Sequence, residues 1–448
     1  MTGEPEEFTG LLKALNIHLS QQYLQELSIG IFVIVYVMII FEKLFHRTIA
    51  ALIGAATIMV LGVMPPSVAW SSIDYNTIFL LFGMMNIVTV LAHSGFFNLV
   101  AYKILVRTGS NPVKLMMTFT TATAFFSAFL DNVTTILFMT PIIIRIAKVL
   151  ELPTVPFVVA LVLASNIGGT TTLIGDPPNI IIGSIAHKSF NDFLVYVAPH
   201  ALAGFVAGVG LNLLYLRWSG VLKASQVKAN ISDLRDVIVC EVDRPLMKKG
   251  LIVFFATILL FVAGHSLYIE PGIIALFTST ILMFWSALSP AQILEKVEWT
   301  TLLFFIGLFI VVGSLEHTGV LSKLAQSLIG FIGSDPYKGI WIIGTFSAVI
   351  SGFVDNIPFT MSMAYVLTDI AGAGSGLDYL WWALSLGACL GGNFTLIGAS
   401  ANIVAVAFAE KEGYHISFMT FMKYGAPVAF VSTLISLLSL HLYVFISR

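Results

Sequence analysis

Long apolar stretches, most without a charged side chain, recur along the chain and are separated by short polar turns. Runs such as IGIFVIVYVMII (29–40) and LIVFFATILLFVAG (251–264) show no alternation of polar and apolar positions. A bilayer core of about 30 Å takes roughly 20 residues of helix or about 10 of alternating strand. The pattern therefore predicts helices and excludes a barrel. Spans are expected near 27–45, 48–65, 75–93, 154–186 and 192–217, and again near 250–266, 270–288, 299–316, 380–410 and 417–446. Those at 154–186 and 380–410 are broken in the middle by polar residues and glycine. Two further apolar stretches, 112–148 and 339–371, carry a polar kink at their centres and read as re-entrant hairpins. The fold class is an all-α polytopic membrane protein.

Composition agrees. Of 448 residues 58% are apolar and only 10% charged, against roughly 25% charge in a soluble domain. A formal net charge of -2 excludes a strongly basic nucleic-acid binder. Cys240 and Cys389 are too few for a disulfide scaffold, a four-thiolate zinc site or a three-thiolate metalloid cage. The acidic start, MTGEPEEFTG, lacks the basic residues and apolar core of a signal peptide, so the first span is expected to stay in the mature protein.

Cytoplasmic loops are enriched in Lys and Arg. With the N-terminus outside, Lys43/Arg47, Lys103/Arg107/Lys114, Arg145/Lys148, Lys411, Lys423 and the polar loop 218–249 fall inside. Glu270 and Glu316 fall outside, with Lys188, Lys323 and Lys338 as exceptions. Hairpin 112–148 then enters from the cytoplasm and 339–371 from the other face.

The chain also repeats itself. IDYNTIFLLFG (73–83) aligns with VEWTTLLFFIG (297–307), and AFLDN (128–132) with GFVDN (352–356), at an offset of 224. GGTTTLIGDPPN (168–179) aligns with GGNFTLIGASAN (391–402) at an offset of 223, with seven of twelve positions identical. The charge assignment makes the copies run in opposite directions. Inverted repeats with broken helices near the midplane are the architecture of secondary transporters. The expected organisation is an extracytoplasmic segment 1–26, a first repeat 27–217, a cytoplasmic loop 218–249 and a second repeat 250–448.

Irregular backbone at membrane depth must line a cavity or a site. In the first break Gly168, Gly169 and Gly175 permit unusual geometry, while Pro177 and Pro178 suit the start of a second half-helix. Gly391, Gly392 and Gly398 do the same in the second break, which lacks the acid and both prolines. Asn166, Thr170, Thr172 and Asn179 offer hydrogen bonds from one break, and Asn393, Thr395 and Asn402 from the other. The hairpin tips contribute Asp131, Asn132 and Thr134, then Asp355 and Asn356. Among 24 acidic residues only Asp131, Asp176 and Asp355 lie well inside apolar segments. A carboxyl group at that depth is a functional candidate by default, and withdrawal from water favours its neutral form, so these three are read as proton-coupling groups. Capping of the following half-helix is the structural role open to them. Asp74 and Glu298 are expected at helix N-termini, His93 and His317 as C-terminal caps, and Cys389 as a packing residue. No Lys or Arg lies at the centre of any span, which tilts towards a neutral or weakly acidic solute or a cation. No nucleophile elbow, metal-binding histidine pair or phosphate loop is present, so no catalytic residue, metal or cofactor is expected.

At SNIGGTTTLIGDPPN (165–179), SAFLDN (127–132) and SGFVDN (351–356) the chain resembles the ion transporter superfamily. More narrowly, it is similar to the branch of ArsB-type arsenite permeases and the melanosomal P protein, over roughly residues 27–446. The resemblance implies a scaffold, a mobile transport domain made of both hairpins and both broken helices, elevator-like alternating access, and a dimer. It carries ligand binding onto the tips and breaks, at the Asn and Thr residues just named and the three aspartates. Relatives that carry dicarboxylates read Ser-Asn-Thr at the tips, where this chain reads Asp-Asn-Val-Thr and Asp-Asn-Ile-Pro. The leading expectation is proton-coupled efflux of the neutral hydroxides of trivalent arsenic and antimony across a bacterial inner membrane. An Asn, Thr and carbonyl cage could hold such solutes without thiolates. A sodium/proton antiporter or a chloride or dicarboxylate carrier is the alternative. Lipid surrounds the protein, and an ATPase subunit on the 218–249 loop stays open as a partner.

Overall fold

Prolines and short polar caps set where the helices begin. The computed structural model describes residues 20–40, 46–109, 111–218, 242–332, 335–371 and 377–447. Residues 1–19 of the N-terminal segment, Lys43, and residues 219–241 of the central loop with Cys240 lie outside the described residues. Every regular element among the described residues is a helix. In the first half these are α1 (Gln21–Ile40), α2 (Arg47–Leu61), α3 (Pro66–Ser71), α4 (Tyr75–His93), α5 (Phe96–Thr108), α6 (Pro112–Phe129), α7 (Asn132–Val149), α8 (Thr154–Gly169), α9 (Pro177–Ile185), α10 (Phe190–Tyr196) and α11 (Ala198–Trp218). The second half holds α12 (Arg244–Leu267), α13 (Pro271–Ser286), α14 (Pro290–Leu294), α15 (Trp299–His317), α16 (Val320–Ile332), α17 (Pro336–Phe353), α18 (Asn356–Ile370), α19 (Tyr379–Gly391), α20 (Ser400–Lys411) and α21 (Phe418–Ser447).

The repeat is visible in these boundaries. α4 and α15, α5 and α16, and α6 and α17 each begin and end 224 residues apart. Asn111 caps α6 through Lys114 N, and its counterpart Asp335 caps α17 through Tyr337 N and Lys338 N; a proline follows each cap at the first helical position. Gly95 and Gly319, in the turns after α4 and α15, share a left-handed φ of 77°.

Packing exchanges partners between the halves. α4 lies on α13 while α15 lies on α2. A Cβ on Gly83 would strike the backbone of Ala275, and one on Gly307 the backbone of Ala51, so the same close crossing is built twice. The second half of each broken helix packs on the returning arm of the other repeat's hairpin, α9 on α18 and α20 on α7. Each hairpin doubles back: Phe97 receives both Phe126 and Phe138, and Phe346 meets Phe359 with ring centroids 6.1 Å apart. The architecture is an all-helical inverted-repeat transporter fold with two hairpins and two broken helices.

Among the described residues, seven helices are long and apolar enough to cross a membrane. One of them, α7, is an arm of the first hairpin, because its N-terminus is the buried tip at Asp131. Phe284, Val206 and Ile446 are among the large apolar side chains left facing outwards, as a lipid-exposed surface requires. Contacts pair residues that the charge pattern assigns to one face: Lys148 with Glu412 at 4.0 Å, and Lys323 with Gln25 at 2.6 Å. The apolar pattern leaves out α5 and α16, whose mixed composition gives no continuous run. It also reads 192–217 as one span where the chain forms α10 and α11, and starts the first span at 27 where α1 begins at Gln21, while 41–45 of that expected span lie outside the described residues.

Candidate functional site

Both hairpins turn through a two-residue extended elbow, Leu130-Asp131 and Val354-Asp355. Each aspartate caps the arm that follows. Asp131 Oδ1 accepts from Thr134 N at 2.8 Å, and the Thr134 hydroxyl bonds the other carboxylate oxygen. At the equivalent place in the second hairpin stands Pro358, which has no N–H, so Asp355 Oδ1 accepts from Ile357 N at 3.0 Å. Its Oδ2 is then available to partners from other elements. Ser400 Oγ donates to it at 3.1 Å, and Arg47 lies 3.4 Å away. Arg47 also bonds Ser400 Oγ and stands over the Phe304 ring. Capping and long-range pairing coexist at Asp355.

The two breaks are held open by matching bonds. Asn179 Nδ2 donates to the carbonyls of Thr170 and Thr172 at 2.9 and 2.8 Å. Asn402 Nδ2 donates to those of Gly392 and Thr395, both at 2.8 Å. The Thr172 hydroxyl bonds the Ala128 carbonyl of the first hairpin, and Thr395 Oγ1 donates to Gly352 O of the second at 2.5 Å. Gly168 and Gly391 let α8 and α19 press against the hairpins, since a Cβ on either would collide with the backbone of Ala124 or Ala348. Gly169 packs on Gly175, and Gly392 on Gly398, across the mouths of the breaks. Pro177 and Pro178 start α9. Thr170 is turned onto its own helix, with Oγ1 donating to Asn166 O at 2.7 Å.

Between the breaks lies a buried amide and carboxylate cluster. Asn166 Nδ2 donates to Asn393 Oδ1 at 2.8 Å and Asn402 Oδ1 at 2.9 Å, and Asn166 Oδ1 accepts from Asn132 Nδ2 at 3.1 Å. Asp176 heads α9 without capping it. Its Oδ1 instead receives Asn132 Nδ2 at 3.2 Å and Asn356 Nδ2 at 3.3 Å, one amide from each hairpin tip. Asp176 and Asn166 are fully buried, and Asn132 and Asn356 nearly so. Asp176 Oδ2 and Asn132 Oδ1 have no well-formed hydrogen bond within the protein. Buried acceptors of this kind call for a donor, and a proton, a hydroxyl-bearing solute or a cation would each supply what is lacking.

All thirteen polar residues expected at the site converge here, in two groups. Asn132, Asn166, Asn356 and Asp176 face one another across the halves, with Asn393 and Asp355 beside them. Thr134, Thr170, Thr172, Asn179, Thr395, Asn402 and Asp131 hold the backbone of tips and breaks in shape. Asp74 and Glu298 both stand at the N-termini of their helices as expected; Asp74 also caps α4, accepting from Asn76 N at 3.0 Å, while Glu298 accepts from Thr301 Oγ1 at 3.1 Å. His93 Nδ1 sits 2.9 Å from Thr89 O.

Three further residues reach the site that the sequence reading did not place there. Cys389 is fully buried in α19, as packing requires, and its thiol also lies 3.5 Å from Asn179 Oδ1 and beside Asp176. The repeat register carries the signal, because Cys389 stands where the first half has Asn166. Ser385 donates to the same Asn179 oxygen at 2.6 Å. Arg47, assigned to a cytoplasmic loop, is the first residue of α2 and is 12% exposed against Asp355, so a cation does reach the hairpin tip.

Comparison with known proteins places this architecture. A family model described as citrate transporter (CitMHS) matches residues 36–387. An uncharacterized transporter of Mycobacterium tuberculosis is 39% identical over 427 residues, covering 94% of this chain and 99% of that protein. The P protein of Sus scrofa is 33% identical over 491 residues, which cover 90% of this chain and 57% of the P protein. Among solved structures, the Alcanivorax borkumensis YdaH transporter superposes with a TM-score of 0.54 at 12% identity, over 91% of this chain and 89% of that one, a likeness of fold. The chain belongs to the CitMHS citrate transporter family of the ion transporter superfamily and is an integral membrane transporter.

Proposed function

We propose that this protein is a proton-coupled carrier of small, oxygen-rich solutes in a bacterial cytoplasmic membrane, with the neutral hydroxides of trivalent arsenic and antimony as cargo exported against protons. The observation that carries the proposal is Asp176, whose Oδ1 is shared by the Asn132 and Asn356 amides while its Oδ2 has no well-formed hydrogen bond, with the weakly donating Cys389 thiol beside the carboxylate. A proton on Asp176 turns Oδ2 into a donor, and its loss returns an acceptor that solute hydroxyls satisfy. One side chain joined to both tips thereby links proton occupancy to the fit of the solute. Asp131 and Asp355 are the further proton-accepting groups. Coupling requires only that the solute bind one facing state better than the other.

A basin of about 1220 Å³ supports alternating access. It lies between α4, α13 and α15 on one wall and the far ends of α9 and α18 on the other, away from the hairpin tips. Elevator-like movement of both hairpins and broken helices past the remaining helices would fill it.

Proteoliposomes under an imposed pH gradient test the proposal by comparing flux of arsenite, antimonite, sodium, chloride, succinate and citrate. Saturable arsenite flux that follows the gradient is expected, and is lost when Asp131→Asn and Asp355→Asn are combined. Flux that survives the double substitution would remove those two carboxylates from the coupling scheme. A second reading, a polycarboxylate carrier, is favoured by Arg47 at the tip and by the family's description as citrate transporter. It predicts citrate or succinate flux with arsenite inert.

A further inference from the structure

We infer that Arg47 is a positioning residue of the transport cycle, a latch that holds the hairpin tips at one end of the scaffold and has no counterpart at the other. The inference rests on the alternating access proposed above and is independent of the solute.

The scaffold has two corners related by the repeat. At the first, Thr48 Oγ1 donates to Thr300 O at 2.8 Å; at the second, the equivalent Gly272 donates its N–H to Asn76 Oδ1 at 2.7 Å. The corners are built alike and occupied differently. The first holds Arg47, whose guanidinium engages Asp355 and Ser400 of the mobile elements, and Glu298, which lies within electrostatic reach of both Asp131 and Arg47. The second, with Asp74 and Glu270, lines the open basin. Two equivalent corners with both tips at one of them describe a carrier caught off its symmetric midpoint.

Exchange of the two repeats defines the other end state. Each residue of the mobile elements then takes the surroundings of its counterpart, so Asp131 approaches the second corner as Asp355 now approaches the first. The residue 224 positions after Arg47 is Pro271, which cannot donate a charged bond. The ion pair, with side chains 12% and 7% exposed, therefore stabilises one end state only. A buried pair broken on one side leaves an uncompensated charge, so the bias is large enough to set a resting population.

Exchange also supplies the reporters. Thr368 lines the basin, and its counterpart Ile144 is 1% exposed. The full chain in lipid nanodiscs, carrying either Thr368→Cys or Ile144→Cys, is treated with a hydrophilic maleimide, and the tagged peptide is followed by mass spectrometry. In the parent the cysteine at 368 reacts fast and that at 144 slowly. Arg47→Gln should raise the ratio of the 144 rate to the 368 rate by about tenfold, the response of a two-state equilibrium to loss of a one-sided contact. Asp355→Asn should give the same shift, and Arg47→Lys should stay near the parent. Ratios unchanged in both Arg47→Gln and Asp355→Asn overturn the latch, as does a shift in Arg47→Lys as large as in Arg47→Gln. If Arg47→Gln fails to fold, the Asp355→Asn ratio decides alone. Unchanged ratios beside intact parent flux refute the latch and spare the carrier; ratios shifted in the variants beside a parent that carries no solute support the latch and count against the carrier.

Discussion

Asn402 Oδ1 receives the Asn166 amide at 2.9 Å, and its repeat mate Asn179 Oδ1 receives the Cys389 thiol at 3.5 Å. The two contacts are the same contact made twice, since Asn166 and Cys389 are themselves equivalent. They differ in strength because a thiol is a weak donor and an amide a strong one. The halves of the transporter thus meet through an amide at one junction and, at the other, through a thiol backed by the Ser385 hydroxyl at 2.6 Å. Asn166 is also tied to Asn393 and Asn132, so one residue joins both breaks to the first hairpin.

Truncation should expose that difference. Asn166→Ala strands the oxygens of Asn393 and Asn402, and each buried polar group left unpaired costs about 1–3 kcal/mol. Cys389→Ala releases Asn179 Oδ1 only from a weak donor, because Ser385 still reaches it at 2.6 Å. The expected result is a loss of about 2–4 kcal/mol for Asn166→Ala and under about 1 kcal/mol for Cys389→Ala. Thermal unfolding in one detergent, read against the parent, measures both. Equal losses would mean that the amide cluster does not hold the halves together.

A second expectation concerns close approach. Gly168 and Gly391 lie against the backbone of Ala124 and Ala348, where the obstacle is main chain and cannot rotate away. Adding a methyl group forces the hairpin off the break, and overpacking of a tight interior costs about 1–3 kcal/mol or more. Gly168→Ala and Gly391→Ala should each lower the unfolding midpoint and the yield of folded protein. Gly210→Ala, where nothing lies within 4 Å of the added carbon, serves as the control and should be neutral or slightly stabilising. Fluorescence-detected size exclusion with a melting series checks the three together.

How much of this is legible in the sequence depends on the range of the contact. Helix breaks and hairpin tips are legible because Gly, Pro, Asn and Asp inside an apolar run have few structural uses other than interrupting it. The offset of 224 pairs α4 with α15 to the residue, since motifs that reveal the repeat lie on those helices. Helices α5 and α16 are not legible as spans. Asn98, Lys103 and Arg107 interrupt the apolar pattern of α5, and Ser322 and Lys323 that of α16, which buries Leu321, Ala325 and Ile332. Arg47, Ser385 and Cys389 escape a reading of the sequence for another reason. Each owes its place to a distant partner: Asp355 lies 308 positions from Arg47, and Asn179 lies 206 from Ser385 and 210 from Cys389. Local pattern carries no trace of such a partner. The repeat register does for Cys389, but not for Arg47, whose counterpart Pro271 has no charge.

The last expectation separates the role of Asp176 from its place in the packing. Asp176→Asn keeps the shape and one oxygen to accept from Asn132 and Asn356 at Oδ1. It puts an amide where Oδ2 now lies without a well-formed bond, within a cluster that already holds an unbonded acceptor in Asn132 Oδ1. Stability should therefore change by less than about 1 kcal/mol. Proton coupling should not survive, because an amide neither takes up nor releases a proton near neutral pH. In proteoliposomes the variant is expected to bind solute and exchange it at equal concentration on both sides, while a pH gradient no longer drives accumulation. Asp176→Ala, by contrast, strands both tip amides and should lose stability together with flux. Gradient-driven accumulation retained in Asp176→Asn would move the coupling proton to Asp131 or Asp355 and leave Asp176 as the fixed acceptor that holds the two tips together.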